Sequence, residues 1–315
     1  MDAKGWLLYE PADARKNQWF IDKLISECAL FGKELELRLT DAPGRITLPD
    51  LNKGENLPSF VINRTRSTGI ARRFESLRIR VINPSQVTLI GNDKYLGYRF
   101  ASDLDIPVMP YICIDLEGLE EGGTDLDRFK DTGISGQFPR FYERILTAAS
   151  QFGYPLVIKP ENGHGGKHVY LTENEAMLRE ALLAIGEDPE SRYIKRILLQ
   201  RPCALRGRDL RVYLVNGRVI AAMMRCASDK NEFRANFSLG GDAFLHTLTG
   251  KERTYTERIA SALPSDMIGI DFIYDGEDEP VFNEIEDAVG SRMLYDKTDI
   301  DIISLFARHV CSPAG

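Results

Sequence analysis

The first ninety residues alternate between short apolar runs and one longer segment with helical periodicity. The segment NQWFIDKLISECALFG has apolar residues at helical spacing and ends at Gly32. Strands that alternate with helices of ten or more residues favour a parallel sheet. Residues 1–91 are therefore predicted to form a small α/β lobe. Its predicted strands are GWLLY, ELELRLT, SFVINRT and RIRVINP.

A second unit of helices and strands is predicted over residues 92–198. Its first helix must stop before Pro107, because the residue that precedes a proline is disfavoured in a helical conformation. The acidic, Gly-rich stretch 116–137 predicts an exposed loop. A later helix over LTENEAMLREALLAI would begin with a capping box formed by Thr172 and Glu175. Between the loop and this later helix, a helix is predicted over FYERILTAASQFG and a strand over YPLVIKP.

The remaining residues, 199–315, are rich in strand patterns and end in the helical run TDIDIISLFARHV. The Asn-Gly pair in VNGRV is a signal for a tight hairpin turn, so neighbouring strands are predicted to be antiparallel. The fold class is thus α/β (α+β), with three units in chain order. The predicted strands of the third unit are ILLQRP, DLRVYLVNG, RVIAAMMRC, MIGIDFIYD and PVFNEIED.

The composition mainly excludes classes of protein. Of the 315 residues 43% are hydrophobic and 28% charged, and the net charge of −7 argues against a nucleic-acid partner. The N-terminal residues do not resemble a signal peptide, and no run approaches the roughly 20 apolar residues of a membrane-spanning helix. The five scattered cysteines contain no CxxC pair, which favours reduced thiols in a cytoplasmic protein.

Three carboxylates near the C-terminus predict a site for a divalent cation. In the strand VFNEIED, Glu284 and Glu286 share one face, and they repel each other unless a cation or basic groups lie between them. A hairpin with the preceding strand would bring Asp271 to the same face. Such a set of oxygen ligands suits Mg²⁺. Exposure at the strand end is the alternative for Glu286 and the favoured reading for Asp287.

Glycines and basic residues predict a site for phosphates. The segment VIKPENGHGGKHV places Lys159 at the end of a strand, followed by glycines whose amides can approach phosphate oxygens, and by Lys167. It matches neither a Walker A loop nor a GxGxxG turn that opens a helix. A hairpin flap over phosphates is therefore predicted, with a plain connector as the alternative.

A second basic set lies in the strand-rich third unit, where exposure to solvent is the alternative for each arginine. Arg234 and Asn236, followed by two glycines in FRANFSLGG, combine a charge, an amide and a flexible loop, which suits binding of an anion near a metal. The arginines of this set are Arg208, Arg211, Arg225 and Arg234.

In their order and spacing these segments resemble the ATP-grasp superfamily, and most closely the RimK-type ribosomal-protein glutamate ligases and related α-glutamate ligases. The resemblance covers roughly residues 85 to 305. It implies an N-terminal α/β lobe followed by two α+β subdomains that clasp ATP. The matching positions are Asn92, Asp93, Lys94, Lys159 with its glycine loop, Gln200, Asp209, Arg211, FRANFSLGG, Asp271 and NEIE.

The resemblance implies a nucleotide site. The lysines and the glycine loop would contact the phosphates, the hinge from Gln200 to Cys203 would contact adenine, and Asp209 would lie near the ribose. The implied nucleotide-binding residues are Lys94, Lys159, Gly163, Gly165, Gly166, Lys167, Gln200, Cys203, Asp209 and Arg211.

The resemblance also implies metal ions and a reaction. Asp271, Glu284 and Glu286 would hold two Mg²⁺ ions, with Mn²⁺ as an alternative. ATP would phosphorylate a carboxylate to an acylphosphate, which an amine would attack with release of ADP and phosphate. The residues expected to meet the transferring phosphate and the substrate carboxylate are Arg225, Arg234 and Asn236.

Three features depart from the pattern of this family. Glu286 stands where the last metal ligand is usually Asn, which adds a negative charge. DAVGSRML stands where a Ser-Pro-Gly-like loop is expected, so we expect a different acceptor pocket. In the hinge segment QRPC, Arg201 stands where an acidic residue is common, which bears on adenine recognition.

The leading hypothesis is a cytoplasmic ATP-dependent ligase that joins an amino acid, glutamate being one candidate, to a peptide, a protein terminus or a small carboxylic acid. A small-molecule kinase and a catalytically silent ATP-binding module are the alternatives. Lys94, Lys159, Asp271 and Glu284 are all present, which favours an active enzyme. The expected partners are ATP and the two substrates, without nucleic acid or membrane, and formation of a homo-oligomer stays open.

Overall fold

The computed structural model describes residues 4–42, 44–47, 57–116, 139–163, 165–227, 242–276 and 279–312. Its strands form three sheets, of four, four and five strands. The predicted mixture of parallel and antiparallel sheets is confirmed. Of the loop predicted at 116–137 only Leu116 is described, and the rest lies outside the described residues.

The N-terminal lobe is built on a parallel sheet in the order β2-β1-β3-β4, as the alternating pattern predicts. Three of its helices are short, with few buried residues, and the pattern missed them. The strands are β1 (Lys4–Tyr9), β2 (Glu34–Leu39), β3 (Phe60–Asn63) and β4 (Arg80–Ile82). The helices are α1 (Pro11–Lys16), α2 (Gln18–Leu30), α3 (Thr68–Ser76) and α4 (Ser85–Gly91).

The second sheet is antiparallel, in the order β5-β8-β6-β7. Helices α6 and α7 bury their apolar faces in one cluster with its strands. The strands are β5 (Tyr111–Asp115), β6 (Leu156–Pro160), β7 (Tyr170–Thr172) and β8 (Arg196–Gln200). The helices are α5 (Lys94–Asp103), α6 (Pro139–Phe152), α7 (Glu175–Gly186) and a short 3₁₀ helix (Pro189–Tyr193).

The predicted capping box at the start of α7 is wrong. Thr172 still belongs to β7, and its buried hydroxyl donates to the carbonyl of Leu156 at 3.1 Å. The cap is Asn174, whose side-chain oxygen accepts from the backbone N–H of Met177 at 3.0 Å. Asn and Thr can both cap a helix. Pairing of β7 with β6 keeps Thr172 in the strand, so the helix begins after Asn174.

The third sheet is antiparallel, in the order β11-β10-β9-β12-β13. The predicted hairpin turn between β9 and β10 is confirmed, because Asn216 and Gly217 have φ values of 51° and 68°, as a type I′ turn requires. The strands are β9 (Leu205–Val215), β10 (Arg218–Cys226), β11 (Asp242–Leu245), β12 (Met267–Tyr274) and β13 (Pro280–Glu286). The helices are α8 (Gly250–Ala262), α9 (Arg292–Lys297) and α10 (Ile302–Cys311).

The N-terminal lobe is fastened to the third sheet next to the end of β13. Asn83 donates to the carbonyls of Met267 and Asp287 at 2.8 and 2.9 Å. Its side-chain oxygen accepts from the N–H groups of Asp266 and Met267 at 2.7 and 3.0 Å. Helix α10 packs against α2 in a core shared by the lobe and the sheet. These contacts fix the position of β13, which carries two of the predicted metal ligands.

Two further expectations concern the chain as a whole. None of the helices within the described ranges combines the length and the apolar character needed to cross a membrane. All five cysteines lie in described residues and none of them forms a disulfide, which agrees with the prediction of reduced thiols.

Candidate active site

A cleft of about 660 Å³ is lined by residues of the N-terminal lobe and of the second and third sheets. Ten basic and five acidic side chains line it. The protein as a whole carries a net charge of −7. The cleft therefore has an excess of positive charge that the rest of the molecule lacks, which favours an anionic ligand at this place.

The three predicted metal ligands meet at one wall of this cleft. β12 and β13 pair as an antiparallel hairpin that places Asp271 opposite Glu284 and Gly269 opposite Glu286. Each of the three acidic residues offers a carboxylate oxygen, and these oxygens lie within 4.8 Å of one another. Asp287 does not belong to this group, and the expectation that it is exposed is wrong, since only 3% of its surface is accessible.

Two buried arginines bind the carboxylates of this wall. Arg211 donates from Nε and Nη2 to the two oxygens of Asp271 at 2.8 and 2.6 Å, and its Nη2 lies 2.8 Å from Oε1 of Glu286. Arg225 binds both oxygens of Asp209 and donates to Oδ2 of Asp271 at 2.7 Å. Solvent exposure, the alternative for these two arginines, is excluded because both are buried.

The arginines determine how the two aspartates titrate. Burial alone would raise the pKa of Asp271, but Arg211 and Arg225 outweigh it and lower the pKa to about 2. Burial raises the pKa of Asp209 to about 6, even though Arg225 acts in the opposite direction. Asp271 is thus ionised at neutral pH, as a metal ligand must be.

Two lysines face the half-buried Glu284. Burial raises the pKa of Glu284, while the charge of Lys94 opposes that rise. Burial lowers the pKa of Lys94, and it lowers the pKa of Lys159 to about 8, with Glu284 opposing the change in both cases. The Lys159 ammonium lies 5.3 Å from the ring centroid of Tyr98, whose hydroxyl accepts from Gln200 at 3.1 Å. The positive charges of Lys94 and Lys159 therefore share Glu284 as their counter-charge, and both lysines line the cleft.

The glycine loop follows β6 and leads into β7, which pairs with β6 as the predicted hairpin. Gly163, Gly165 and Gly166 have φ values of 106°, 68° and 76°, which side chains rarely adopt. Lys94 donates from Nζ to the carbonyl of Gly163 at 2.6 Å and so ties the start of α5 to the loop. Gly165 and Gly166 line the cleft, so their backbone can approach a ligand closely.

Lys167, predicted to contact phosphates, forms an ion pair in this structure. Its Nζ lies 2.7 Å from Oδ2 of Asp188, and Nε2 of His168 lies 2.8 Å from the same oxygen. This carboxylate holds the end of the glycine loop against the segment that follows α7. The phosphate contact of Lys167 stays a prediction.

The predicted hinge runs along one side of the cleft. Gln200 is buried, Cys203 is half-buried, and both line the cleft. Arg201 donates to the carbonyls of Phe152 and Gly153, and its guanidinium lies 4.6 Å from the ring centroid of Phe152. The arginine that departs from the family pattern thus binds the carbonyl groups at the C-terminal end of α6, where a positive charge is favourable.

Arg234 and Asn236 lie outside the described residues, so their predicted positions have no structural counterpart here. No residue of the N-terminal lobe was predicted to belong to the site, although this lobe forms one wall of the cleft. The signal was available, because these side chains follow β1 and β3, and ligands bind at the carboxyl ends of parallel strands. The residues of this wall, here called the N-terminal wall, are Asp13, Lys16, Asn17, Trp19, Phe20, Arg64 and Arg66.

Two arginines dominate the N-terminal wall. Arg64 is buried, and its Nη2 donates to the carbonyls of Ala288 and Val289 at 3.2 and 3.0 Å, which leaves it a structural role between the lobe and the third sheet. Arg66 forms an ion pair of 2.8 Å with Asp13 and has a φ of 58°. A left-handed arginine in a cleft is an unfavourable backbone conformation of the kind that functional sites often contain.

Comparisons with known proteins identify relatives. A family model described as the RimK-like ATP-grasp domain matches residues 132–310. An uncharacterized protein of Mycoplasma genitalium is 24% identical over 98% of this chain and 93% of its own length. β-Citrylglutamate synthase B of Danio rerio is 29% identical over 77% of this chain, which spans only 53% of that relative.

A solved structure shares the fold. It is the biotin carboxylase domain of 2-oxoglutarate carboxylase from Hydrogenobacter thermophilus, in complex with the magnesium salt of ADP, ADP and bicarbonate. The TM-score is 0.68 at 14% identity, over 99% of this chain and 70% of that one.

Proposed function

Because the chain belongs to the RimK-like ATP-grasp family, a family of ATP-dependent carboxylate-amine ligases, we propose that its cleft binds ATP and activates a carboxylate as an acylphosphate. The observation that carries this proposal is the arrangement of charges in the cleft. Three carboxylate oxygens within 4.8 Å of one another face two lysines and a glycine loop, which is the set that a metal-nucleotide complex needs.

The nucleotide phosphates lie, in this proposal, between the lysines and the glycine loop. Lys94 and Lys159 supply positive charge, and the backbone N–H groups of Gly165 and Gly166 supply hydrogen-bond donors. The adenine lies along the hinge from Gln200 to Cys203. A contact between Asp209 and the ribose competes with the bonds that its carboxylate accepts from Arg225, and these bonds favour a role in positioning Arg225 instead.

The carboxylate cluster fits magnesium, because its donors are hard oxygens close enough to share an ion and Asp271 is ionised at neutral pH. Asp271, Glu284 and Glu286 would hold two Mg²⁺ ions, with Mn²⁺ as a substitute. When bound, such ions neutralise charge on the transferring phosphate. The lysines and arginines of the cleft neutralise the remainder.

The proposed reaction has two steps. An oxygen of the substrate carboxylate bonds to the γ-phosphorus, and the bond between that phosphorus and ADP breaks. The amine nitrogen then bonds to the acyl carbon, loses a proton, and phosphate leaves. Arg225 is fixed by Asp209 and Asp271 before any ligand arrives, so its positive charge is oriented in advance for the transferring phosphate. Arg234 and Asn236 are proposed to act beside it.

The reaction itself is tested by release of ADP from MgATP in the presence of pools of amino acids, dipeptides and carboxylic acids, with products identified by mass spectrometry. We expect ADP release that depends on one pool, and a product lighter by one water than its two parts. A phosphorylated product would identify a kinase instead. Binding of ATP without turnover in any pool, including a pool of protein acceptors, would identify a silent module.

The N-terminal wall is proposed to bind a carboxylate of the substrate that does not react. Among the described residues, the Arg66 side chain makes one hydrogen bond, from Nη1 to Asp13, so its other N–H groups can meet a carboxylate. The name of the citrylglutamate synthase relative points to the same class, since it contains an acidic amino acid. Glutamate is therefore the first candidate substrate.

Replacing Arg66 by Asn is expected to raise the KM for a dicarboxylate substrate by about 10 to 100 fold, since a hydrogen bond to a charged group contributes about 1.5 to 3 kcal/mol. Thermal stability should be nearly unchanged, because Asn tolerates the left-handed conformation best among residues with side chains. Steady-state kinetics and a melting curve test this. Arg38→Asn is the matched control, since Arg38 lies over Trp6 and does not line the cleft. An unchanged KM would contradict the role of Arg66.

A further inference from the structure

Arg211 occupies hydrogen-bonding positions on two of the three carboxylates that we assign to magnesium. Its guanidinium binds both oxygens of Asp271 and one oxygen of Glu286, all at 2.6 to 2.8 Å. A guanidinium stays protonated in proteins, so its charge does not depend on these contacts. A fixed positive charge therefore lies at hydrogen-bond distance from the ligand atoms of the site.

The cleft as a whole has an excess of basic side chains, but the groups that interact directly with the carboxylate cluster balance one another without any added ion. Four carboxylates (Asp209, Asp271, Glu284 and Glu286) face four cations (Lys94, Lys159, Arg211 and Arg225), and all eight groups are buried or half-buried. Each acid is bound by, or electrostatically coupled to, at least one of these cations. A divalent cation that enters alone would leave two uncompensated positive charges among buried or half-buried groups, which is costly. The phosphates of a nucleotide would supply the missing negative charge.

We propose that Arg211 acts as a built-in counter-ion that makes metal binding depend on the nucleotide. The guanidinium lowers the affinity of Asp271 and Glu286 for a divalent cation until phosphate groups neutralise the excess charge. The site thus takes up the metal together with ATP or ADP and does not load it beforehand. This inference rests on the proposed function, because it takes the cleft as the nucleotide site.

A purely structural role for Arg211 makes a different prediction. If the arginine only satisfies the buried Asp271, its removal destabilises the fold and gives no new property. If it opposes the metal, its removal allows the carboxylates to bind a cation without nucleotide. Gain of metal binding therefore separates the two roles.

The test is a titration of the full chain with Mn²⁺, in which the spectrum of electron paramagnetic resonance reports free Mn²⁺. For the wild type we expect affinity at least about 30-fold tighter with ADP than without it, within the range of couplings between ligands. For Arg211→Met we expect nucleotide-free affinity about tenfold tighter than for the wild type, because a neighbouring like charge changes cation binding by a factor of about 10 to 1000.

Two further variants control for charge and position. Arg211→Lys keeps the positive charge, so it should keep the dependence on ADP. Arg208→Met removes a charge from the same strand and the same cleft, but Arg208 lies over the ring of Tyr274, 4.6 Å from its centroid, and is not hydrogen-bonded to the three carboxylates in the described structure. Its nucleotide-free Mn²⁺ affinity should equal that of the wild type. Mn²⁺ should also raise the melting temperature of Arg211→Met and leave that of the wild type unchanged.

The outcomes separate this inference from the proposed function. Equal Mn²⁺ affinity of the wild type with and without ADP would overturn the role of Arg211 and leave the ligase proposal intact. Absence of Mn²⁺ binding even with ADP would overturn both. The wild-type titrations decide the dependence on nucleotide even if Arg211→Met does not fold, and Arg211→Lys then tests the charge. Nucleotide-independent Mn²⁺ binding by Arg211→Lys would also overturn the inference.

Discussion

Glu284→Gln is expected to lower kcat by at least about a thousandfold, because loss of a metal interaction removes several kcal/mol of transition-state stabilisation and each 1.4 kcal/mol is a factor of ten. Glu284 stands opposite Asp271 in the hairpin register, and its charge acts on both Lys94 and Lys159. Gln has almost the same volume but is a far weaker ligand for Mg²⁺. The rate of ADP release with the identified substrates measures the effect.

The fold should survive this change. Burial raises the pKa of Glu284, so its ionised form is disfavoured by the surroundings, and a neutral side chain removes that penalty at neutral pH. Glu279→Gln is the matched control, because Glu279 lies close to the same hairpin but is exposed and pairs only with Lys251 among the described residues. Its turnover should equal that of the wild type. Wild-type turnover of Glu284→Gln itself would refute the assignment of the metal ligands.

The group of three carboxylates, Asp271, Glu284 and Glu286, is the part of the candidate site that the sequence predicts best. Alternation along a strand puts Glu284 and Glu286 on one face, and a short connection to the preceding strand puts Asp271 opposite them. Both steps depend only on local geometry, and the structure confirms that the three carboxylates meet. The hairpin of Asn216 and Gly217 was predictable for the same reason, since the turn type is determined by the residues within it.

Features that depend on distant partners were not predictable. The spacing of Asp287 suggested an exposed strand end, but the N-terminal lobe covers this position and Asn83 binds its carbonyl. The carboxylates that Arg211 and Arg225 bind could not be predicted, because their shared partner Asp271 lies on a different strand. Propensity alone could not place the cap of α7 either, because both Thr and Asn are good caps.

The N-terminal wall shows a different limit. Asp13 and Arg66 are far apart in the chain, and each is an ordinary charged residue in its own segment. They meet because β1 and β3 are neighbours in a parallel sheet, so the segments that follow the two strands begin at the same edge of the sheet. The order of strands, which periodicity does not specify, therefore determined that this lobe contributes to the cleft.

Lys159→Met is expected to weaken the binding of ATP by about 30 to 4000 fold, because removing one partner of a buried charge pair costs about 2 to 5 kcal/mol. Lys159 is buried at the end of β6, and burial lowers its pKa to about 8, so the ammonium is poorly compensated until phosphates arrive. Calorimetric titration with a nonhydrolysable ATP analogue and Mg²⁺ gives the Kd. Lys167→Met should change the Kd less than about tenfold, since Lys167 is half-exposed and already paired with Asp188.

The stability of Lys159→Met provides the control for misfolding. Because the pKa of Lys159 is lower in the folded protein than its ordinary value of 10.5, the charged lysine costs stability at every pH below about 8. The cost disappears as the pH rises from about 8 toward 10.5, where the folded protein holds the neutral form. Met removes the charge and keeps the volume, so the free energy of unfolding at pH 7 should rise, by up to about 3 kcal/mol. Weaker ATP binding in a protein that is no less stable would place Lys159 at the phosphates, whereas an unchanged Kd would refute that role.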